Sequence, residues 1–518
     1  MMNDTGASLL TGFMPPAFIQ QALNFMAALF IFIVGLVALW VAVLFVMDII
    51  QTKNAVRRNF PVIGRFRYIF SELGTFFRQY FFAMDREEMP FNRAQRDWVD
   101  QAARLKSGVS AFGSTENLTA RGSLIFVNCP FPVLDEDAVK SEAVTVGQNI
   151  KHPYAASSYF NISGMSYGAL STPAVRALSK GAKMAGCWMN TGEGGLSPHH
   201  LEGGCDIVFQ IGTAKYGVRD KQGNLSDEKL REVANHEQIK MFEVKLSQGA
   251  KPGKGGILPG CKVNEEIAAI RGIEPWQDSI SPNRHAEIDS VEELLDFIAH
   301  VRQVTQKPVG FKSVFGSFGW LEKLCQEVNN RGEDSAPDFI TIDSGDGGTG
   351  AAPQALMDNV GLLVRDSLPA VVKVLENYGL KERIRIVASG KLLTPADVAW
   401  ALCTGADFIN CGRGFMFSLG CIQAIRCNKD TCPTGVTTHN KRLQKGLDPR
   451  VKSVRVANYC GHMRKEVETI AHSCGVRSPR LLKPYHARIV QADGMSVPID
   501  KIKVEITSHK EELVPQQH

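Results

Sequence analysis

The sequence predicts an α/β protein, a (β/α)8 TIM-type barrel preceded by an N-terminal transmembrane helix. Three observations carry this. From residue 159 onward, short β-rich runs ending in glycine or polar clusters alternate with segments of helical period, as in a parallel sheet. Glycine-rich strand ends recur along that whole length, which favours a closed barrel over an open doubly wound sheet. Residues 25–47, FMAALFIFIVGLVALWVAVLFVM, hold no charge and are long enough, at roughly 1.5 Å per residue, to cross about 30 Å of hydrocarbon.

In chain order, residues 1–24 form a short non-cytoplasmic start with Asp4 as its one charge, unlike the basic n-region of a signal peptide. A buried soluble helix is the alternative to the span. Lys53, Arg57, Arg58, Arg65 and Arg67 follow it, which places the remainder in the cytoplasm, at an inner membrane crossed once. RFRYIFSELGTFFRQYFFAM (65–84) fits either an amphipathic helix on the membrane surface or a helix packed on the main domain. Residues 48–155 make a juxtamembrane and N-terminal layer, 156–480 the barrel domain, and 481–518 a C-terminal tail. Strand candidates are YFNISGMS, CWMNTGEGG, MFEVKLSQG, PVGFKSVFG, FITIDSGDGG, RIRIVASG and FINCGRG. Helices are expected at 290–304 and 394–405, the latter opened by a Thr cap with proline behind it.

Composition excludes several classes. The 518 residues are 44% hydrophobic and 21% charged, as in globular proteins. A net charge of +5 gives no case for nucleic acid. Twelve cysteines are too sparse for a disulfide-stapled secreted domain.

The candidate site lies at the carboxyl ends of the strands. Gly390, Gly412 and Gly414 allow backbone N–H groups close to an anion, and Arg413 adds charge, as a phosphate-bearing cofactor needs. DSGDGGTGAAP (343–353) sets glycines around Asp346 and Thr349, a wall for a planar ligand or a loop with turn geometry alone. Lys312 sits on a strongly apolar strand, where an ammonium needs an anion: a flavin N1–C2=O edge, a substrate carboxylate or a structural Asp. Cys421, Cys427 and Cys432 follow a C-x5-C-x4-C pattern ending in proline. Spacing alone leaves an iron–sulfur cluster, a zinc site with His439 as fourth ligand, and unligated thiols all open.

ISGMSYGALS (162–171), NTGEGG (190–195), QGAKPGKGG (248–256), LPGCKV (258–263), ISPNRH (280–285), DGGTGAAPQ (346–354) and the three-cysteine segment occur in the same order in the synthase domain of glutamate synthases. The chain resembles that FMN-binding family over roughly residues 155–475, as a membrane-anchored, stand-alone relative. The resemblance implies an FMN-binding barrel and a [3Fe-4S] cluster on Cys421, Cys427 and Cys432 in the loop 421–432. It implies that Met165, Ser166 and Asn190 border the flavin ring, with Lys312 at its N1 side. Asp346, Gly347, Gly348 and Thr349 would line it, and Gly390, Gly412, Arg413 and Gly414 would hold its phosphate. Lys312, Gln248 and Lys251 are then candidates to fix the carboxylates of 2-oxoglutarate, which is aminated to L-glutamate.

Three departures qualify the match. Nothing corresponds to a glutaminase domain, so ammonia would come free or from a separate glutaminase subunit. KPGKGG puts Lys254 where the family has glutamate, and SGK (389–391) replaces DGG. No nucleotide fingerprint for NAD(P)H is found, so a ferredoxin-like protein or a membrane redox partner is the expected electron donor. Two other readings share the scaffold: an N-alkylglutamate synthase condensing an alkylamine, and a non-catalytic electron-transfer subunit.

Overall fold

The computed structural model describes residues 17–106 and 108–502. The expected N-terminal segment (in its residues 1–16) and tail (in its residues 503–518) therefore lie partly outside the described residues. The chain divides at Arg93 into two compact units.

In the first unit, α1 (Ala17–Ile50) extends the apolar run at both ends and leaves almost every side chain exposed. It is the one helix among the described residues long and apolar enough to cross a membrane. Helix α2 (Ile63–Phe77) follows after a short connection.

The second unit is a closed barrel of eight parallel strands. They are β1 (Phe160–Ile162), β2 (Met189–Asn190), β3 (Ile207–Ile211), β4 (Ile239–Lys245), β5 (Val309–Val314), β6 (Phe339–Asp343), β7 (Arg385–Ser389) and β8 (Phe408–Cys411). Neighbours pair in chain order, and Ile409 of β8 closes the ring against Phe160 of β1. Seven of these strands carry the expected runs; β3 was not among them. The helices are α3 (Arg93–Ala103), α4 (Thr172–Ala185), α5 (Asp227–Ala234), α6 (Val291–Thr305), α7 (Gly319–Arg331), α8 (Val364–Asn377), α9 (Pro395–Thr404), α10 (Arg413–Ser418) and α11 (Pro449–Ser473). Caps set their ends. Ser290 accepts from the N–H of Glu293 at α6, and Thr394 with Asp397 forms a capping box at α9, which Gly405 closes in the left-handed region.

Strand periodicity sorts the barrel interior into levels. The floor is apolar: Trp188, Val208, Met241, Phe339, Val387 and Phe408 pack together, and a hairpin of Val144–Val146 with Tyr154–Ala156 inserts Val146 and Ala156 beneath them. Gly310 is required here, because a Cβ would stand 2.2 Å from the Phe339 carbonyl oxygen. One step up each strand, the same faces carry Asn190, Gln210, Glu243, Lys312 and Thr341, all buried. A polar layer on an apolar floor is affordable only if each group finds a partner, and the site is built from those partners.

Candidate active site

Glu243 organises the polar layer. It accepts from Asn190 Nδ2 at 2.8 Å, Gln210 Nε2 at 2.6 Å and Thr341 Oγ1 at 2.6 Å. Asn190 turns its other end on the N–H of Gly192 at 2.9 Å, fixing the turn that begins TGEGG. That turn delivers Glu193 to the mouth, where its carboxylate lies 3.0 Å from Lys245 Nζ. Two glycines make room for it. A Cβ on Gly256 would stand 2.2 Å from Glu193 Oε1, and one on Gly212 would stand 2.6 Å from Glu193 Cβ. Burial alone would raise the Glu193 carboxyl, but Lys245 and then Lys251 hold it below its ordinary value.

Lys312 pairs with Asp343 at 2.9 Å, so of the anions expected for it the chain itself supplies the structural Asp. Asp343 also accepts the N–H of Gly249 at 3.0 Å, which ties the QGAK loop to β6. Gln248 accepts from Lys245 and donates to Thr349 Oγ1 at 3.2 Å. Lys251, buried beside them, has no carboxylate at ion-pair distance among the described residues. Burial and then the neighbouring Lys245 push its ammonium down to about 8, against the pull of Glu193. Lys254 is exposed.

The glycine loops pack beside these groups, Gln248 and Gly249 touching Thr349 and Gly347. Met165 is buried, held through its carbonyl by His200 Nε2 at 3.0 Å. Burial drives His200 down to about 4, so the ring is neutral at physiological pH and donates. Ser166 backs onto Gly192, whose Cβ would stand 2.8 Å from its amide nitrogen. Asp346 accepts from Ser344 and pairs with Lys391 at 3.0 Å. The missing Cβ atoms of Gly390 and Gly414 face protein, Ser344 Cβ at 2.1 Å and Tyr459 Oη at 2.2 Å respectively. Gly347 packs on Gly249 and Gly348 on Arg413. Gly412 differs: a Cβ there would meet nothing nearer than Met165 Cε at 3.5 Å. That leaves backbone open to a ligand between β1 and β8, with Arg413 and Lys391 on the adjoining loops, so these residues fit an anionic cofactor.

Arg413 joins the two predicted sites. Its guanidinium donates to the Thr349 carbonyl and lies 3.9 Å from Cys427 Sγ. Lys262, buried, donates to the carbonyls of Ala169 at 2.8 Å, Cys427 at 3.2 Å and Thr437 at 3.0 Å, binding the cysteine loop to the loop after β1. Burial raises the Cys421 thiol, partly offset by Arg413, and Cys427 and Cys432 lie close enough to add to the rise. Cys432 is held low against its burial, first by the Thr434 hydroxyl at 3.4 Å and then by backbone N–H groups of the same loop. Among the described residues no group of three His, Cys, Asp or Glu side chains is placed to hold a single metal ion. His439 Nε2 lies 2.8 Å from the Gly168 carbonyl oxygen, so only its Nδ1 is left for any ligand. Three thiols around one loop, with hydrogen-bond donors to sulfur and two cations beside them, suit a cluster whose thiolates each bind a different iron.

Sequence reasoning passed over Glu193, Glu243, Lys245 and Lys262. The signal for two of them was present: Glu243 and Lys245 alternate with Phe242 and Val244 on one strand, so the two share a face with Met241.

The family model described as a conserved region in glutamate synthase matches residues 109–477. A glutamate synthase large subunit-like protein, YerD of Bacillus subtilis, is 40% identical over 517 residues, covering 92% of this chain and 98% of that protein. An archaeal glutamate synthase [NADPH] of Methanocaldococcus jannaschii is 35% identical over 330 residues, 63% of this chain. The match spans 61% of that archaeal protein's length. A glutamate synthase large subunit-like protein of Rhizobium meliloti is 30% identical, covering 64% of this chain and 75% of its own.

Proposed function

The chain belongs to the glutamate synthase family of oxidoreductases, and from that premise we propose that it reductively aminates 2-oxoglutarate to L-glutamate. The observation that carries the reading is Lys251, a buried ammonium at the barrel mouth with no carboxylate of its own. A buried cation without a counter-ion is costly, and a dianionic substrate removes that cost on binding. One substrate carboxylate pairs with Lys251. Gln248, locked by Lys245 and Thr349, limits where that carboxylate can sit. The Lys312–Asp343 and Lys245–Glu193 pairs set the potential around the oxo carbon and exclude bulk water.

FMN would be held by Met165, Ser166 and Asn190 on one side and by the loop of Asp346, Gly347, Gly348 and Thr349 on the other. Gly412 and Arg413 would take its phosphate, the Cβ positions of Gly390 and Gly414 being filled by Ser344 and Tyr459. When bound, the flavin supplies hydride to the imine formed from the oxo acid and ammonia. A [3Fe-4S] cluster on Cys421, Cys427 and Cys432 would supply single electrons, and Arg413, touching both loops, holds the two sites together.

An electron-donor protein completes the reading. Residues 420–455 hold eight Lys or Arg against only Asp430 and Asp448, a basic stretch around the cysteine loop that would favour an acidic partner. Helix α1 would anchor the enzyme once in the inner membrane with the barrel in the cytoplasm, and residues 156–480 are its catalytic domain. Nitrogen arrives as free ammonia or from a partner glutaminase.

Steady-state turnover of flavin-loaded, chemically reduced protein with 2-oxoglutarate tests this. Ammonium-dependent glutamate formation is the expected result. Methylamine exceeding ammonium would reassign the enzyme to N-alkylglutamate synthesis. No turnover of any 2-oxo acid in fully loaded protein would leave only electron transfer.

A further inference from the structure

Residues 63–82 form one uninterrupted helical rod, α2 passing directly into a π-helical turn at Arg78–Phe82. At about 100° per residue, Phe66, Ile69, Phe70, Leu73, Phe76 and Phe77 fall within an arc of about 120°. Arg67, Ser71, Thr75 and Arg78 take the opposite side. Every side chain of the apolar arc is exposed, from 42% for Leu73 to 66% for Phe70. The rings pack along the rod, Phe66 on Phe70 at 6.3 Å, Phe76 on Tyr80 at 4.7 Å and Phe77 on Phe81 at 5.6 Å. A continuous aromatic face of this size does not stay in water.

A second feature says what covers it. Asp48 is the single charged residue of α1 and is fully buried near its C-terminal end. Its carboxylate accepts from Arg57 Nη2 at 2.6 Å, Arg65 Nη2 at 2.7 Å and the N–H of Val62 at 3.1 Å. Val62 sits at φ +63° and Gly64 has no room for a Cβ, which would stand 2.8 Å from the Val56 carbonyl oxygen. The connection is therefore a fixed elbow, which starts α2 where the apolar span ends.

We propose that α2 lies in the plane of the bilayer surface, with its aromatic arc in the acyl region and Arg67 and Arg78 toward the headgroups. The protein is thus anchored by two elements rather than one, and the elbow fixes the angle between them. The occupant of the apolar face is lipid: it continues directly from the exposed apolar surface of α1, its arc is aromatic, and its polar side is basic. This rests on α1 being a membrane span.

The test is photolabelling of the full-length protein in phosphatidylcholine–phosphatidylglycerol vesicles carrying a lipid with a diazirine near the headgroup end of its acyl chain. Peptide mapping should find adducts on Phe66, Phe70 and Phe77, at least fivefold above those on Ser71 and Thr75. A Phe70→Glu, Phe77→Glu variant should lose most of this labelling while that of α1 is unchanged. Adducts in α1 with none in 63–82 would overturn the proposal and assign the face to protein, a second copy or a partner. No adducts in either helix would overturn the membrane span and this proposal with it.

Discussion

Replacing Lys312 with methionine isolates the electrostatics of the barrel mouth. Lys312 and Asp343 are 2.9 Å apart with side chains 9% and 8% exposed. Burial alone would drive each toward its neutral form; instead, the pair holds Asp343 below and Lys312 above its ordinary value. In the variant Asp343 keeps the Gly249 N–H and loses its cation. Leaving one buried charge unpaired costs about 3–5 kcal/mol. At roughly 2.1 cal/mol/K per residue over a unit of about 400 residues, that lowers Tm by about 4–6 °C.

The pH dependence follows from the signs. In the wild type, the Asp343 contribution is present above its ordinary value of 3.8 and fades as pH falls through the lower folded value. The Lys312 contribution is complete below 10.5 and fades as pH rises through the raised folded value. Between those limits the wild-type pair is insensitive to pH. In Lys312→Met the orphaned carboxyl is raised by burial, so acid neutralises it and the penalty shrinks. Thermal unfolding of full-length protein between pH 7.5 and 5 checks this, and Asp343→Leu added to Lys312→Met should recover most of the loss. A variant within about 1 °C of wild type, or a gap that widens on acidification, would refute the reasoning.

Other substitutions probe other parts of the site. Gly256→Ala places a Cβ 2.2 Å from Glu193 Oε1, so the carboxylate must move; kcat/KM should fall roughly 100-fold with Tm nearly unchanged. Gly414→Ala drives a methyl into Tyr459 Oη at 2.2 Å and Cys411 Sγ at 2.7 Å, and should cost about 1–3 kcal/mol in denaturant unfolding. Cys432→Ser removes one of the three thiolates proposed to hold the cluster, so iron per chain after anaerobic purification should fall at least threefold, with flavin content retained. Equal iron in variant and wild type would remove Cys432 from the ligand set.

Much of this architecture was legible in the chain. Glycine-terminated apolar strands announced the barrel, and a lone lysine in VGFKSVF announced an anion nearby, whether flavin, substrate or a structural Asp, because a buried ammonium is costly alone. The partners were not legible. That Asp343 answers Lys312, and Lys245 answers Glu193, depends on which strands close the ring, and two-residue β2 gives almost no periodic signal. Glycines misdirect in a related way. Gly390 and Gly414 read as openings for an anion, yet their absent Cβ atoms face Ser344 and Tyr459, a packing demand that sequence does not distinguish from a binding one. The cysteine spacing leaves three chemistries open, and it gives no sign of Arg413, Lys262 and the Thr434 hydroxyl, which the fold brings to the cysteine loop.

The claim at the centre is that Lys251 receives the oxo acid while the neighbouring glycine loops hold the flavin. Titrating 2-oxoglutarate into flavin-loaded wild type and Lys251→Met, followed through the flavin absorption spectrum, tests it most directly. Wild type should show a saturable perturbation whose affinity falls as pH rises through about 8, where the Lys251 ammonium loses its proton. Lys251→Met should bind at least tenfold more weakly, without that pH dependence and with full flavin content. Unchanged affinity in the variant, or loss of flavin in place of substrate binding, would contradict the account.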